Sequence, residues 1–150
     1  MTPAARDFTA PVDILMVEDN PADARLVVEA MKDSQIRHEL HVVPDGLQAL
    51  DYLHRRGAHA GANRPSLIFL DLNLPRIDGR EVLRQIKADA DLRRIPVVVM
   101  SSSRAPEDVA RAYDAHANCY VRKPIDFTQY RDVVRKIESF WLSAVQLPVS

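Results

Sequence analysis

Residues 67–75 read Leu-Ile-Phe-Leu-Asp-Leu-Asn-Leu-Pro, and this stretch decides which fold the rest of the chain can adopt. Four apolar residues lead directly into Asp71, and prolines stand on both sides of the segment, at positions 65 and 75. A short apolar run with such boundaries is typical of a strand buried on both faces of a parallel sheet. Asp71 then lies at the carboxyl end of its strand, which is the edge of an open parallel sheet where ligands bind.

The pattern of an apolar strand followed by a helical segment occurs five times along the chain. The predicted strands cover residues 12–17, 38–43, 67–71, 97–100 and 119–121. Apolar residues at helical spacing follow each of them, and turn residues such as Pro44-Asp45-Gly46 separate the elements. Continuous apolar strands joined by helices predict an α/β fold, a doubly wound five-stranded parallel sheet with five helices on its two faces.

Length, composition and charge restrict the class of protein. A chain of 150 residues, 47% hydrophobic and 27% charged, suits one domain of ordinary size. The net charge is −1 and there is no basic stripe, so we expect no nucleic-acid partner. Cys119 is the only cysteine, which excludes an intrachain disulfide. Neither an apolar run of about 18 residues nor an N-terminal signal core is present, so we expect a cytoplasmic protein that contacts no membrane.

Polar side chains stand at the carboxyl ends of four predicted strands. They are Glu18 and Asp19 after the first strand, Asp71 at the third, Ser101 at the fourth and Lys123 at the fifth. These ends meet at one edge of a parallel sheet. A single acidic residue there is usually a helix cap or turn residue, but five polar residues at matching positions predict a functional site.

The chemistry of these side chains suggests a metal ion and a phosphoryl group. Three neighbouring carboxylates repel one another and are tolerated with a hard cation between them, and oxygen ligands in a small site favour Mg²⁺. Asp71 is then placed to attack phosphorus, as in enzymes that form an aspartyl phosphate. Lys123 offers positive charge to one phosphoryl oxygen, and the Ser101 hydroxyl offers a hydrogen bond to another.

The chain resembles the receiver domain of two-component response regulators from about residue 12 to residue 137. The resemblance is carried by Glu18-Asp19, Asp71-Leu72-Asn73-Leu74-Pro75, Asp78-Gly79, Ser101 and Lys123-Pro124. It implies a flavodoxin-like fold with strand order 2-1-3-4-5 and a sensor histidine kinase that donates phosphate to Asp71. It also implies that Mg²⁺ is bound by Asp19, Asp71 and the backbone carbonyl of Asn73, with help from Glu18.

The same resemblance implies a conformational switch. After phosphorylation the hydroxyl of Ser101 moves toward the phosphoryl group, and the ring of Tyr120 turns inward to fill the vacated space. Serine stands where threonine is commoner, which removes a methyl group but keeps the hydrogen-bond donor. The Lys123–Pro124 peptide bond is typically cis in the family. The protein is then a signalling switch and not an enzyme.

The C-terminal end is unusually apolar. Residues 139–150 follow a predicted receiver domain at residues 12–138, and a helix from about 128 to 144 would be roughly 25 Å long. Exposed apolar surface marks an interface, although the segment could instead fold onto its own core. It resembles the ending of stand-alone regulators paired with bacterial phytochrome kinases, which implies a homodimer held by C-terminal arms. The implied interface residues are Phe140, Trp141, Val145, Leu147 and Pro148.

Three other interpretations each fit only part of the sequence. A phosphatase of the haloacid dehalogenase type needs a second aspartate two residues after the nucleophile, where this chain has Asn73. A flavin-binding electron carrier needs a first loop that cradles phosphate, and Glu18-Asp19-Asn20-Pro21 would repel it. A scaffold with a silent site has no support, because every phosphorylation residue is present. About a dozen residues follow Ile137, too few for an output domain.

Two remaining features of the sequence predict little. The five histidines, His38, His41, His54, His59 and His116, are scattered over weak strands, a loop and helix surfaces, and they predict no metal site. Residues 1–11 have no periodic pattern and predict a flexible tail.

Overall fold

A computed structural model describes residues 11–32, 34, 36–124 and 126–148 of the chain. The flexible tail expected at residues 1–11 therefore lies outside the described residues, except for Pro11. The strands are β1 (Val12–Val17), β2 (His38–Val43), β3 (Leu67–Asp71), β4 (Val97–Ser101) and β5 (Cys119–Arg122). The helices are α1 (Pro21–Met31), α2 (Gly46–Leu53), α3 (Gly79–Ala88), α4 (Pro106–Asp114) and α5 (Phe127–Glu138).

The strands form one parallel sheet in the order β2-β1-β3-β4-β5. The central strands β3 and β4 are buried along their whole length, as their continuous apolar sequences predict. Successive side chains of each strand point to opposite faces, so the core divides into two layers. One layer contains residues of α2, α3 and α4, and the other contains residues of α1 and α5. The predicted fold class and strand order are confirmed.

Local sequence determines where the chain leaves β1 and begins α1. The Asn20 side chain accepts hydrogen bonds from the backbone N–H groups of Ala22 and Asp23, at 2.9 and 3.2 Å. Pro21 occupies the first helical position, where its missing N–H group leaves no bond unmade. The cap and the proline make the chain turn directly after Asp19, so the first helical turn lies beside the carboxyl end of β1.

The chain continues in helical form past α5. A π-helical segment covers Ser139–Ala144, so helical structure reaches the residue at which the sequence predicts its end. Leu142 and Leu147 are buried in the layer formed with α1 and α5, and Trp141 is half-buried against it. Phe140, in contrast, is 56% exposed. Part of this apolar ending therefore packs on its own core, and part of it remains on the surface.

Within the portion of the chain that the structure describes, no helix combines the length and the apolar composition that crossing a membrane requires.

Candidate functional site

Lys123 lies at the centre of the carboxyl edge of the sheet. Its Nζ atom is 2.8 Å from Asp71 Oδ2 and 3.2 Å from Asp23 Oδ2, and it also donates a hydrogen bond to Glu18 Oε1. The Lys123 side chain is only 10% exposed. One largely buried ammonium group thus connects carboxylates from β3, from α1 and from the loop after β1.

Strand pairing accounts for this convergence. Asp71 pairs with Met100 across β3 and β4, and Ser101 pairs with Arg122 across β4 and β5. The Lys123 backbone N–H then donates to the Ser101 carbonyl at 2.8 Å, which extends the pairing beyond the end of β5. The parallel register therefore places the predicted strand-end residues at one edge, as the sequence pattern predicts.

The three predicted carboxylate ligands lie together. Single oxygen atoms of Glu18, Asp19 and Asp71 all lie within 4.8 Å of one another. Glu18 and Asp71 are buried, whereas Asp19 is exposed, so the cluster opens toward solvent on one side. An all-oxygen cluster with solvent access suits a small hard cation that keeps part of its water. The residues present therefore fit a divalent metal such as Mg²⁺.

The charges of the cluster perturb its titration. Burial, together with the neighbouring Asp71 carboxyl, raises the pKa of Glu18 to about 8, despite the opposing contact with Lys123. Burial alone would lower the pKa of Lys123, but hydrogen bonds to Asp71 and Glu18 outweigh it and raise that pKa above its ordinary value. Negative charge therefore exceeds positive charge at this edge, and a cation relieves the imbalance.

Backbone groups orient the Asp71 carboxylate. The Asn73 N–H donates to Asp71 Oδ1 at 2.9 Å, while Lys123 contacts Oδ2. The exposed Asn73 follows closely after the strand, and metal binding by its carbonyl oxygen stays a prediction.

Gly79 begins α3 so close to β3 that a Cβ atom there would lie 2.2 Å from the Asp71 carbonyl oxygen. Only glycine permits this approach, which gives the Asp78-Gly79 motif a steric reason.

The two predicted switch residues share a short hydrogen-bonded loop. Ser101 is completely buried, and its Oγ atom accepts a hydrogen bond from the Ser103 N–H at 3.1 Å. The half-buried Tyr120 donates its hydroxyl to the Ser103 carbonyl oxygen at 3.0 Å. Ser103 therefore connects the two side chains through its backbone. Their movement on phosphorylation stays a prediction.

One expectation is wrong for this structure. The Lys123–Pro124 peptide bond is trans and not cis. The trans isomer of a bond before proline is ordinarily the more stable one, by about 0.5–1 kcal/mol.

Sequence reasoning missed Asp23. This residue lies in the first turn of α1, three positions after the cap Asn20, and contacts Lys123 from the helix side. An acidic residue in a first helical turn is common for electrostatic reasons alone, so its sequence position carries little functional information. The sequence did contain one signal for Asp23. Because α1 begins two residues after the Glu18-Asp19 pair, its first turn must lie near the carboxyl edge of the sheet.

Comparison with known proteins identifies the class. Residues 14–135 match the model of the response regulator receiver domain, so the chain belongs to the response regulator receiver family. It is 49% identical over 140 residues to response regulator Rcp1 of Synechocystis sp., a match that covers 93% of this chain and 95% of Rcp1.

Solved structures agree with this membership. The crystal structure of the Mn²⁺-bound form of Rcp1 has a TM-score of 0.90 at 50% identity, covering 93% of this chain and all of that one (100%). The phosphorylated cyanobacterial phytochrome response regulator RcpA gives the same identity of 50%, a TM-score of 0.90 and coverage of 93% and 100%. The bacteriophytochrome response regulator AtBRR has a TM-score of 0.71 at 40% identity, with 88% and 96% covered. The predicted family is therefore confirmed.

Proposed function

We propose that this receiver accepts a phosphoryl group on Asp71 from a sensor histidine kinase in a Mg²⁺-dependent reaction. The observation that carries the proposal is the 2.8 Å contact between Lys123 Nζ and Asp71 Oδ2 within a cluster of carboxylates that fits a divalent cation. The ligands in this proposal are Glu18, Asp19, Asp71 and the Asn73 carbonyl. Output then comes from a conformational change and contact with other proteins, without turnover of a separate substrate.

The transfer uses groups already in position. An oxygen of the Asp71 carboxylate attacks phosphorus, the bond between phosphorus and the donor histidine nitrogen breaks, and that nitrogen keeps the electron pair. Lys123 then pairs with a phosphoryl oxygen, while Glu18 and Asp23 keep its side chain at the edge. The Ser101 hydroxyl turns to donate to a second phosphoryl oxygen. When bound, Mg²⁺ supplies positive charge that offsets the carboxylate and phosphoryl oxygens.

The relatives support this chemistry by what their structures contain. Rcp1 has been crystallised in a Mn²⁺-bound form, and RcpA in a phosphorylated form. RcpA is a cyanobacterial phytochrome response regulator, and AtBRR is a bacteriophytochrome response regulator. We therefore propose a phytochrome-type histidine kinase as the partner, and a cytoplasmic location in which receiver and kinase meet.

The phosphoryl acceptor is tested by intact mass after incubation with a small acyl-phosphate donor and Mg²⁺. We expect one phosphoryl adduct in the wild type, none in Asp71→Asn and none without Mg²⁺. Asp114→Asn is the matched control, because Asp114 is an exposed aspartate at the end of α4, and it should keep the adduct. An adduct that survives Asp71→Asn would refute the assignment.

We also propose that residues 139–150 mediate a homodimer through Phe140, Trp141, Val145, Leu147 and Pro148. The support is the exposed ring of Phe140, which contacts Trp141 edge-on with ring centroids 5.7 Å apart. Leu147 is buried in the single chain, with only 5% of its surface exposed. It can therefore join an interface only if the C-terminal segment leaves its own core.

The dimer is tested by light scattering on the full chain. Phe140→Ser should shift the mass from that of a dimer to that of a monomer. The free energy of unfolding of the single chain should fall little, because the Phe140 side chain is 56% exposed. Leu147→Ala is the comparison variant: it should lower the free energy of unfolding by about 2–5 kcal/mol, because it leaves a cavity in the core. A monomeric wild type, or a Phe140→Ser variant that remains a dimer, would contradict the proposal.

A further inference from the structure

A second cluster of ligand-type side chains lies at the opposite end of the sheet. Asp13 pairs with Glu39 and Leu15 pairs with His41 across β1 and β2. Because side chains alternate along a strand, Asp13, Glu39 and His41 point to the same face. Asp19 lies six positions after Asp13 along nearly extended chain, about 20 Å at about 3.3 Å per residue, so this cluster is distinct from the phosphorylation edge.

The cluster contains two buried atoms that lack partners. His41 Nε2 is 3.7 Å from Asp13 Oδ1 and 3.8 Å from Glu39 Oε2, beyond ordinary hydrogen-bond distance. Asp13 Oδ1 and His41 Nε2 are both buried and have no hydrogen-bond partner among the described residues. Buried polar atoms are almost always satisfied, and an ion placed between these two facing atoms would give a partner to both.

The spacing suits a shared metal ion. One ligand atom from each of the three side chains fits within a span of 4.8 Å. Two ligands bound to zinc lie about 3.4 Å apart at a tetrahedral angle, given metal–ligand distances of about 2.0–2.2 Å. The observed 3.7 Å therefore requires an adjustment of only a few tenths of an ångström.

The types of ligand in the cluster indicate which metal ion it would bind. Mg²⁺ and Ca²⁺ prefer oxygen ligands, whereas an imidazole with two carboxylates suits zinc and neighbouring transition metals. The two carboxylates carry the charge that balances a divalent ion, and three protein ligands leave a position for water. The two ends of the sheet are therefore chemically suited to different cations.

Packing holds one ligand in place. The His41 ring contacts Tyr52, with ring centroids 5.7 Å apart, and Tyr52 in turn contacts His59 at 5.4 Å. Tyr52 is 6% exposed and forms a fixed wall behind the imidazole. The cluster is open to solvent, because the His41 side chain is 40% exposed and the Glu39 side chain is 54% exposed, and Glu39 can move to complete the coordination.

We propose that Asp13, Glu39 and His41 form a binding site for a zinc-class transition-metal ion. A bound ion would join the edge strand β2 to β1 at the end of the sheet remote from Asp71. The site is independent of the phosphoryl chemistry, because it shares no residue with the carboxyl edge.

The test is a calorimetric titration of the full chain with Zn²⁺ in a large excess of Mg²⁺, which keeps the carboxyl edge occupied. We expect one zinc ion per chain, with affinity reduced at least tenfold in His41→Gln and in Asp13→Asn. His54→Gln, at an exposed histidine directly after α2, is the matched control and should bind as the wild type does. Asp71→Asn should also leave the affinity unchanged, which separates this site from the phosphorylation edge.

Cobalt gives an independent measurement. Co²⁺ in place of Zn²⁺ should produce the strong visible absorption of a four-coordinate ion, and this absorption should disappear in His41→Gln. If that variant is poorly folded, Glu39→Gln decides instead, because its exposed side chain can change without loss of packing and should weaken binding several-fold. Absence of zinc binding, or binding unaffected by both His41→Gln and Glu39→Gln, would overturn the proposal.

Discussion

The two ends of the sheet carry acid-rich clusters that are built in opposite ways. At the carboxyl edge, Lys123 is a cation supplied by the protein, and Asp71, Glu18 and Asp23 all contact it. At the other end, Asp13 and His41 face each other with buried atoms that have no hydrogen-bond partner among the described residues. Carboxylates alone therefore do not define a site, because the group that neutralises or bridges them determines what the cluster does.

The largest effect should come from removing the internal cation. Lys123→Ala leaves the buried carboxylates without their partner, and we expect the metal-free free energy of unfolding to fall by roughly 3 kcal/mol. Urea unfolding with and without Mg²⁺ measures this change, and Mg²⁺ should recover part of the loss. Lys32→Ala removes an exposed pair with Glu29 and should cost less than about 1 kcal/mol. Equal losses in the two variants would mean that Lys123 stabilises the fold no more than an exposed lysine does.

The second effect is a pH dependence that arises at the carboxyl edge. The pKa of Glu18 is raised from 4.5 to about 8 in the folded protein, so the folded state holds a proton that the unfolded chain releases. The contribution to stability is complete below about pH 4.5 and is lost as pH rises toward 8.

Unfolding at a series of pH values in the absence of metal measures this dependence. The wild type should lose stability between pH 5 and pH 8 relative to Glu18→Gln, whose amide does not titrate in the range bounded by the values 4.5 and 8. Parallel curves for the two proteins would contradict the assignment of this proton to Glu18.

The third effect should have the opposite sign, because it concerns the unsatisfied cluster. Replacing both Asp13→Val and His41→Ile removes two orphaned polar atoms and introduces good strand residues. We expect the metal-free protein to become more stable by about 1 kcal/mol, as measured by urea unfolding. The single variant Asp13→Val is the control and should gain less, since it leaves the His41 nitrogen unpaired. Destabilisation by the double variant would mean that the Asp–His contact is already favourable without metal.

The smallest effect concerns Asp23. Its side chain is 33% exposed, so its charge is partly screened from Lys123. Asp23→Asn keeps a hydrogen-bond acceptor but removes a negative charge, and we expect Mg²⁺ affinity to fall by up to about fivefold, within the range of a surface ion pair. Calorimetric Mg²⁺ titration measures the change, and Glu29→Gln, farther along α1, should show none. An unchanged affinity would place Asp23 outside the electrostatic environment of the metal.

Much of the fold and of the carboxyl edge could be predicted from the sequence. The strand at residues 67–71 is encoded by its own apolar run, and the sheet order and family membership agree with what that pattern and the strand-end residues predict. The order of residues along the chain is enough to group Glu18, Asp71, Ser101 and Lys123, because parallel strands bring their carboxyl ends to one edge. These inferences need only local periodicity and one topological rule.

Tertiary structure decided what depends on register and on helix placement. His41 and Asp13 are 28 positions apart, and they meet only because β2 pairs with β1 in a particular register. Asp23 reaches Lys123 because α1 packs beside the end of β1, and Leu147 is buried because the C-terminal segment turns back onto the core. Each of these contacts depends on packing summed over the whole domain, which short-range sequence patterns do not encode. Sequence alone therefore determined the fold and the chemistry of the carboxyl edge, whereas tertiary packing decided which other side chains lie close enough to act together.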